Sequence, residues 1–203
     1  MRYFLSFFIL FLALCSCSKS TKKIAIQPLG NVSHQHIDSI KSALSKEVSD
    51  DVVVLEAIPI PTLFFITVKS PRYRADSIIH YLKKTKNDSI DYIIGITEKD
   101  ISTTKKDREG NIKKPLYKYE DWGVCGLGFV DGPSCVISTF RIKHGNKSIF
   151  FDRLKKLSVH EIGHNLGLPH CDNNNCVMRD AAESVSTIDK VKHHFCTLCK
   201  KRI

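Results

Sequence analysis

Apolar and polar positions along the chain change period several times, and each change predicts an element. Residues 23–28 (KIAIQP) alternate in the manner of a strand, and residues 33–48 carry Ile37, Ile40, Ala43 and Leu44 at helical spacing behind Ser33 as N-cap. Residues 51–60 (DVVVLEAIPI) and 63–68 (LFFITV) read as extended, whereas residues 74–84 bring Ile78, Ile79 and Leu82 onto one helical face. A further strand is predicted at residues 92–97 (YIIGIT), after the turn-forming Asn87-Asp88-Ser89. Strands alternating with helices imply an α/β sheet in the first half of the chain.

Residues 101–122 are polar and lysine-rich, hold Gly110 and Pro115 and show no period, which predicts a long surface loop. Two apolar runs follow, residues 123–130 (GVCGLGFV) and 135–141 (CVISTFR), split by Asp131-Gly132-Pro133. That tripeptide is a turn signal, so the runs are expected to pair as a hairpin and to bring Cys125 and Cys135 to comparable heights. The two cysteines are then either a disulfide or two buried thiols. Residues 151–166 (FDRLKKLSVHEIGHNL) return to a helical period, with Leu154, Leu157, Val159, Ile162 and Leu166 around the helix.

The first twenty residues, MRYFLSFFILFLALCSCSKS, differ in kind: one Arg2, an uncharged apolar run over residues 4–14, then small residues and cysteine. This is the pattern of a signal peptide, too short to span a bilayer as a folded helix. Its end resembles a lipobox, and Cys17, preceded by the small Ser16, fits the lipidated position better than Cys15, preceded by Leu14. A plain secretory signal with incidental cysteines is the alternative. The expectation is a lipoprotein signal peptide over residues 1–16 and one domain over residues 18–203, exported and membrane-anchored in the cell envelope, on the periplasmic or the outer surface.

At 203 residues, 42% hydrophobic and 26% charged, the chain is long enough for a sizeable core and unlike a disordered protein. The net charge of +10 raises nucleic acid as a partner, but the lysines are scattered as KK and KxK pairs instead of forming a block. No nucleic acid is expected, least of all for an exported chain, and an anionic membrane or wall surface is the milder possibility.

The chemistry concentrates in residues 160–178, HEIGHNLGLPHCDNNNCVM. His160 and His164 lie four apart, on one face of a helix, so both imidazoles can address a single ion. Glu161 sits beside that face, placed to take a proton from a water that zinc has acidified to a pKa of about 7. Gly167 can turn the chain back in a left-handed conformation and Pro169 forbids further helix, so His170 arrives as a third ligand. Three imidazoles leave the fourth tetrahedral position open for water or substrate, as in catalytic zinc sites. HExxH alone also arises on solvated helix faces; its continuation through Gly167 and His170 is what makes the zinc reading specific. Four further cysteines, Cys171, Cys176, Cys196 and Cys199, make either a closed tetrahedral zinc site or two disulfides. The other histidines have no partner at ligand spacing except His193-His194, read as surface residues on a basic helix.

HExxHxxGxxH followed by a methionine is the pattern of the metzincin zinc proteases, and this chain resembles their archaemetzincin branch. There a cysteine follows the third histidine, a second cysteine and a methionine come shortly after, and a CxxC lies further on, as Cys171, Cys176, Met178 and Cys196-Thr197-Leu198-Cys199 do here. Residues 136–142 (VISTFRI) also look like the family's strand before the active-site helix. The resemblance implies an α/β (α+β) metzincin-like fold with a mixed twisted sheet, an active-site helix and a zinc-pinned C-terminal segment. It implies a zinc-dependent peptidase, a hydrolase acting on peptide or protein as a monomer. Two zinc ions are implied: a catalytic one on His160, His164 and His170 with Glu161 as general base, and a structural one on the four cysteines. Met178, otherwise ordinary core filler, becomes the apolar floor under the histidines. Two readings from other classes stand beside this: a zinc-binding envelope protein of the same fold without turnover, and a zinc ribbon for nucleic acid built on KVKHHFCTLCKKRI.

Overall fold

Strand residues that alternate between two sets of partners place the main sheet between helices on both faces. The computed structural model describes residues 22–180 and 185–203. In chain order its elements are β1 (Ile24–Pro28), α1 (His34–Glu47), β2 (Val52–Val54), β3 (Phe65–Ile66), β4 (Arg72–Arg74), α2 (Ala75–Thr85), β5 (Tyr92–Thr97), β6 (Ile101–Thr103), α3 (Leu116–Tyr119), β7 (Trp122–Val124), β8 (Gly126–Gly128), β9 (Ser134–Ser138), α4 (Lys147–Asn165), α5 (Val185–Lys190) and α6 (Thr197–Lys200). The main sheet runs β2-β1-β5-β9-β8, parallel throughout except for the antiparallel edge strand β8. Ile24 and Ile26 of β1, Ile94 and Ile96 of β5, and Cys135 and Ile137 of β9 pack with α1 and α4. Their neighbours Ala25, Ile93 and Val136 pack on the other face against Ile78, Ile79 and Leu82 of α2. Covered on both sides, β1 and β9 are buried at every position, which is why their sequences are near-continuous apolar runs. Gly95 lets α2 approach, since a Cβ there would lie 2.8 Å from Leu82 and 2.9 Å from Leu29.

A smaller sheet, β3-β4-β6-β7, leans on this framework. Its strands of two or three residues are too short to write a period into the sequence. Accordingly the predicted loop over residues 101–122 is in fact β6, a β-bridge between Lys106 and Ile112, and α3, leading into β7 at Trp122. Within 51–68 only Val52–Val54 and Phe65–Ile66 are strands, with a 3-10 turn at Thr62–Phe64 between them. Ser33 stands at the N-cap of α1 without a side-chain capping bond, whereas Asn146 caps α4 by accepting from the Ser148 N–H at 2.8 Å. His193 and His194 lie beyond the end of α5, not on a helix, and His193 Nε2 is 2.7 Å from the Asp152 carboxylate.

The expected hairpin exists as β8 and β9, but its register separates the two cysteines. Gly128 is opposite Cys135, and the Cys125 carbonyl accepts from the Ser138 N–H, so the cysteines stand three positions apart along the ladder. At about 3.3 Å per residue this is near 10 Å, beyond the reach of a disulfide. Both are free thiols, and burial pushes the Cys125 thiol up to about 11. Cys125 in the native protein should therefore alkylate at pH 8 about a hundredfold more slowly than an unperturbed thiol, because its thiolate fraction is lower by that factor. After denaturation without reductant both cysteines should react completely, read by mass spectrometry of the tryptic peptides; a protected pair would contradict the register.

Candidate active site

The histidines are positioned by how α4 ends. Gly167 adopts φ +86°, its N–H donates to the His164 carbonyl at 2.9 Å, and the Leu168 N–H donates to the Gly163 carbonyl at 3.0 Å. This is a Schellman reversal, in which a left-handed glycine satisfies the last carbonyls of the helix and sends the chain back across its end. The Asp131 N–H donates to the same His164 carbonyl at 2.9 Å, tying the β8–β9 turn to that point. His160 and His164 sit on the last two turns and His170 returns to face them, with ring centroids 4.7, 4.9 and 5.5 Å apart.

Tautomers follow from the outer contacts. Nδ1 of His160 lies 2.7 Å from the Val177 carbonyl and Nδ1 of His164 lies 2.8 Å from the Leu168 carbonyl. A carbonyl only accepts, so each Nδ1 carries the proton and each Nε2 presents a lone pair. Burial and the neighbouring His164 push His160 down to about 3, and burial lowers His164 as well, so both rings are neutral at pH 7. Two lone pairs 3.1 Å apart cannot hydrogen-bond to each other; they fit two ligands of one cation. His170 completes a set whose ligand atoms all lie within 4.8 Å, and its Nδ1 is 3.6 Å from Asp180.

Directly beyond His170 the four cysteines gather. Sγ of Cys171 is 3.8 Å from that of Cys196, and Sγ of Cys176 is 3.7 Å from that of Cys199. A disulfide requires about 2.05 Å, whereas a tetrahedron with Zn–S bonds of about 2.3 Å has edges near 3.8 Å. The Cys199 N–H holds the Cys196 thiol down to about 7, toward the thiolate a metal takes, and the Cys196 N–H donates to Cys176 Sγ at 3.3 Å.

Comparison with known proteins places the chain in a family. The model of Peptidase family M54 matches residues 60–203. An archaemetzincin from Halobacterium salinarum is 31% identical over 191 residues, covering 89% of this chain and 99% of its own length. This chain belongs to peptidase family M54, the archaemetzincins. The archaemetzincin structure from Archaeoglobus fulgidus, a malonate complex, superposes with a TM-score of 0.69 at 30% identity, covering 89% of this chain and 99% of that one. That from Methanopyrus kandleri, at 22% identity, shares the fold with a TM-score of 0.74 and covers 91% and 94%. Membership makes the chain a zinc metallopeptidase with the mixed α/β architecture expected of it.

The archaemetzincin relatives also correct one expectation. The H. salinarum and A. fulgidus chains match over 99% of their lengths, that match accounts for 89% of this chain, and the family model, over residues 60–203, does not include the apolar run at residues 4–14. Export and envelope anchoring drew on residues 1–17, the apolar run and the lipobox-like Cys17, and the archaemetzincins overturn them. The signal segment and Cys17 lie outside the described residues, and no helix among those described is long and apolar enough to cross a membrane.

Around the histidines, glycines that no ligand spacing marks set the clearances of this archaemetzincin site. Glu161 is 5% exposed and lies against β8: a Cβ on Gly126 would be 2.5 Å from its Oε1, and one on Gly128 would be 3.2 Å from its Oε2. Burial pushes the Glu161 carboxyl up to about 8. Met178 is fully buried beneath α4, and a Cβ on Gly163 would meet its Sδ at 2.3 Å and Phe195 at 2.9 Å. The signal for these was available as Gly126-Leu127-Gly128 and as the glycine inside HEIGH. A cleft of about 1020 Å³ opens beside Glu161, His164 and His170 and runs along β7 and β8.

Gly163→Ala should overpack the Met178 contact and destabilise the fold by about 1–3 kcal/mol, seen as a lower melting temperature. Gly145→Ala, where a Cβ would meet nothing within 4 Å, is the control expected to change stability little. Equal melting temperatures for the two variants would contradict the packing of Met178 under α4.

Proposed function

We propose that the described residues form one peptidase domain in which His160, His164 and His170 hold the catalytic zinc, Glu161 is the general base, and a peptide is cut in the cleft beside β7 and β8. The observation that carries this is the pair of Nε2 lone pairs 3.1 Å apart, fixed by carbonyls on their far sides, with a buried carboxylate on the adjoining residue. The cysteine tetrahedron is read as a second, structural zinc site, and Met178 as the apolar support under the histidines.

When bound, the zinc supplies a Lewis acid to the scissile carbonyl and to the attacking water. The carboxylate of Glu161 takes the water's proton as the oxygen attacks the carbonyl carbon, and delivers it to the amine nitrogen as the C–N bond breaks. Gly126 and Gly128 leave room for that carboxylate, and the exposed edge of β7 and β8 offers backbone groups to an extended substrate. Burial alone favours protonated Glu161, and a dication held by His160, His164 and His170 would favour its carboxylate form, the form that acts as base.

Digestion of a peptide library should be abolished by chelator and reduced about 10²- to 10⁴-fold in Glu161→Gln with zinc content unchanged. Full activity of that variant would remove the base. Metal analysis should return about two zinc ions per chain, and about one after Cys199→Ser; one ion in the parent chain would remove the cysteine site. Because Glu161 at about 8 is mostly protonated at pH 7 without metal, zinc binding at that pH should release about one proton more from the parent chain than from Glu161→Gln, measured by calorimetry in buffers of different ionisation enthalpy. Equal release would mean the carboxylate does not sense the ion.

A further inference from the structure

Along the cleft from Glu161, at the Trp122 end of β7, the lining changes from glycine and histidine to cations. Lys69, Arg72, Lys118 and Arg141 all line this end. The buried carboxylates among them are Asp100 and Asp121, and both are committed to the arginines. Arg72 donates from Nε to Asp100 at 2.9 Å and pairs through Nη1 with Asp121 at 3.2 Å. Arg141 reaches the same Asp100 through Nε at 2.7 Å and Nη2 at 2.8 Å.

The geometry at Arg141 is what points to a ligand. Asp100 occupies the Nε–Nη2 edge of the guanidinium and fixes its plane. The Nη1–Nη2 edge remains, and Nη1 makes no hydrogen bond to any described residue. A guanidinium accepts carboxylates bidentately on either edge, so one carboxylate from the fold has oriented the group for a second. The guanidinium lies flat on Gly123, where a Cβ would fall 2.1 Å from its Cζ, and the side chain keeps 30% of its surface exposed within the cleft. Lys118 lies with its ammonium 5.4 Å from the Trp122 ring, and Lys69 donates to the Lys118 carbonyl at 2.7 Å, so two more positive charges border the same space.

We propose that Arg141, oriented by Asp100 and flanked by Lys69 and Lys118, forms a subsite for a carboxylate of the peptide substrate. The carboxylate is either an acidic side chain or the substrate's own C-terminus. Gly123, against which Arg141 packs, is three residues along the edge from Gly126, which borders Glu161. Three residues of extended chain span about 10 Å, so the carboxylate sits two or three residues from the cleaved bond, on one side only. This rests on the peptidase reading above.

The test walks a single glutamate through an otherwise neutral peptide, on both sides of the cleaved bond, and separately compares a C-terminal acid with its amide two or three residues away. The zinc-loaded full chain should cut the best acidic peptide about tenfold more efficiently in kcat/KM than the neutral parent, a preference that weakens as salt is raised. If the side-chain series carries the gain the subsite reads acidic residues; if the acid–amide pair carries it, the subsite reads a chain end. Arg141→Gln should bring the acidic-to-neutral ratio close to one, and Lys69→Gln with Lys118→Gln, both at the exposed rim, should lower it without touching the Asp100 network. A ratio of one in the parent chain, or a ratio unmoved in both variants, overturns the proposal while leaving the peptidase reading in place. If no peptide is cut, that reading fails by itself, and the same acidic and neutral peptides are compared by equilibrium binding. Equal affinities there overturn the subsite, and tighter acidic binding lost in Arg141→Gln supports it.

Discussion

The site depends on the reversal at the end of α4. A helix that stopped one residue earlier, or ran one turn further, would leave His160 and His164 as an exposed pair with nothing opposite them. Gly167 in the left-handed region, with the paired bonds to the His164 and Gly163 carbonyls, aims the chain back across the helix end. The Leu168 carbonyl meets His164 Nδ1, and further on the Val177 carbonyl meets His160 Nδ1. One turn therefore sets both the third imidazole and the tautomers of the first two. A residue with a Cβ at position 167 would be strained by its backbone conformation, whatever space surrounds it.

The same returning segment joins the two clusters. Residues 170–178 begin with His170, contribute Cys171 and Cys176, and end on Met178 under Gly163. The Cys171 N–H donates to the Met178 carbonyl at 2.9 Å, closing the segment into a loop. The loop buries Cys176, Val177 and Met178 in the main core and leaves residues 172–175 exposed, with the cysteine cluster on one side of it and the histidines on the other. Cys196 lies just before the four-residue α6 and Cys199 on it, a helix too short to hold itself. A tetrahedral ion across these four sulfurs would fasten the C-terminus and, through Val177, the orientation of His160.

How much of this was legible follows from length and period. The strand at 92–97 was readable to the residue, and the helices at 33–48, 74–84 and 151–166 to within a few residues, because burial on one or both faces stamps a period on a long segment. Of the second sheet only β3, inside the extended stretch at 63–68, was legible, since Ile101–Thr103 and Trp122–Val124 offer three residues each and pair across large sequence separations. The histidine, cysteine and methionine pattern carried the family and the composition of both clusters, because donor atoms are a property of residue type. Clearance is a property of packing: that Gly126 and Gly128 make room for Glu161, or that the β8–β9 register parts Cys125 from Cys135, depends on partners that no local pattern names.

The cleft divides its electrostatics along its length, and the fold explains why it can. At the histidine end the side chains are buried in an apolar frame, so Glu161 is raised and His160 lowered toward their neutral forms, and the converging Nε2 lone pairs suit a cation. At the β7 end, Arg72 and Arg141 are also largely covered, and Asp100 and Asp121 lie within hydrogen-bond distance to pair with them. Asp100 and Asp121 together balance the charges of Arg72 and Arg141, so the surplus positive charge at this end is carried by the exposed lysines of the cleft, Lys69 and Lys118 among them. An extended peptide lying on the edge of β7 and β8 would thus meet a dication-seeking site at one end and a carboxylate-seeking one about 10 Å away, and its register would be set by both.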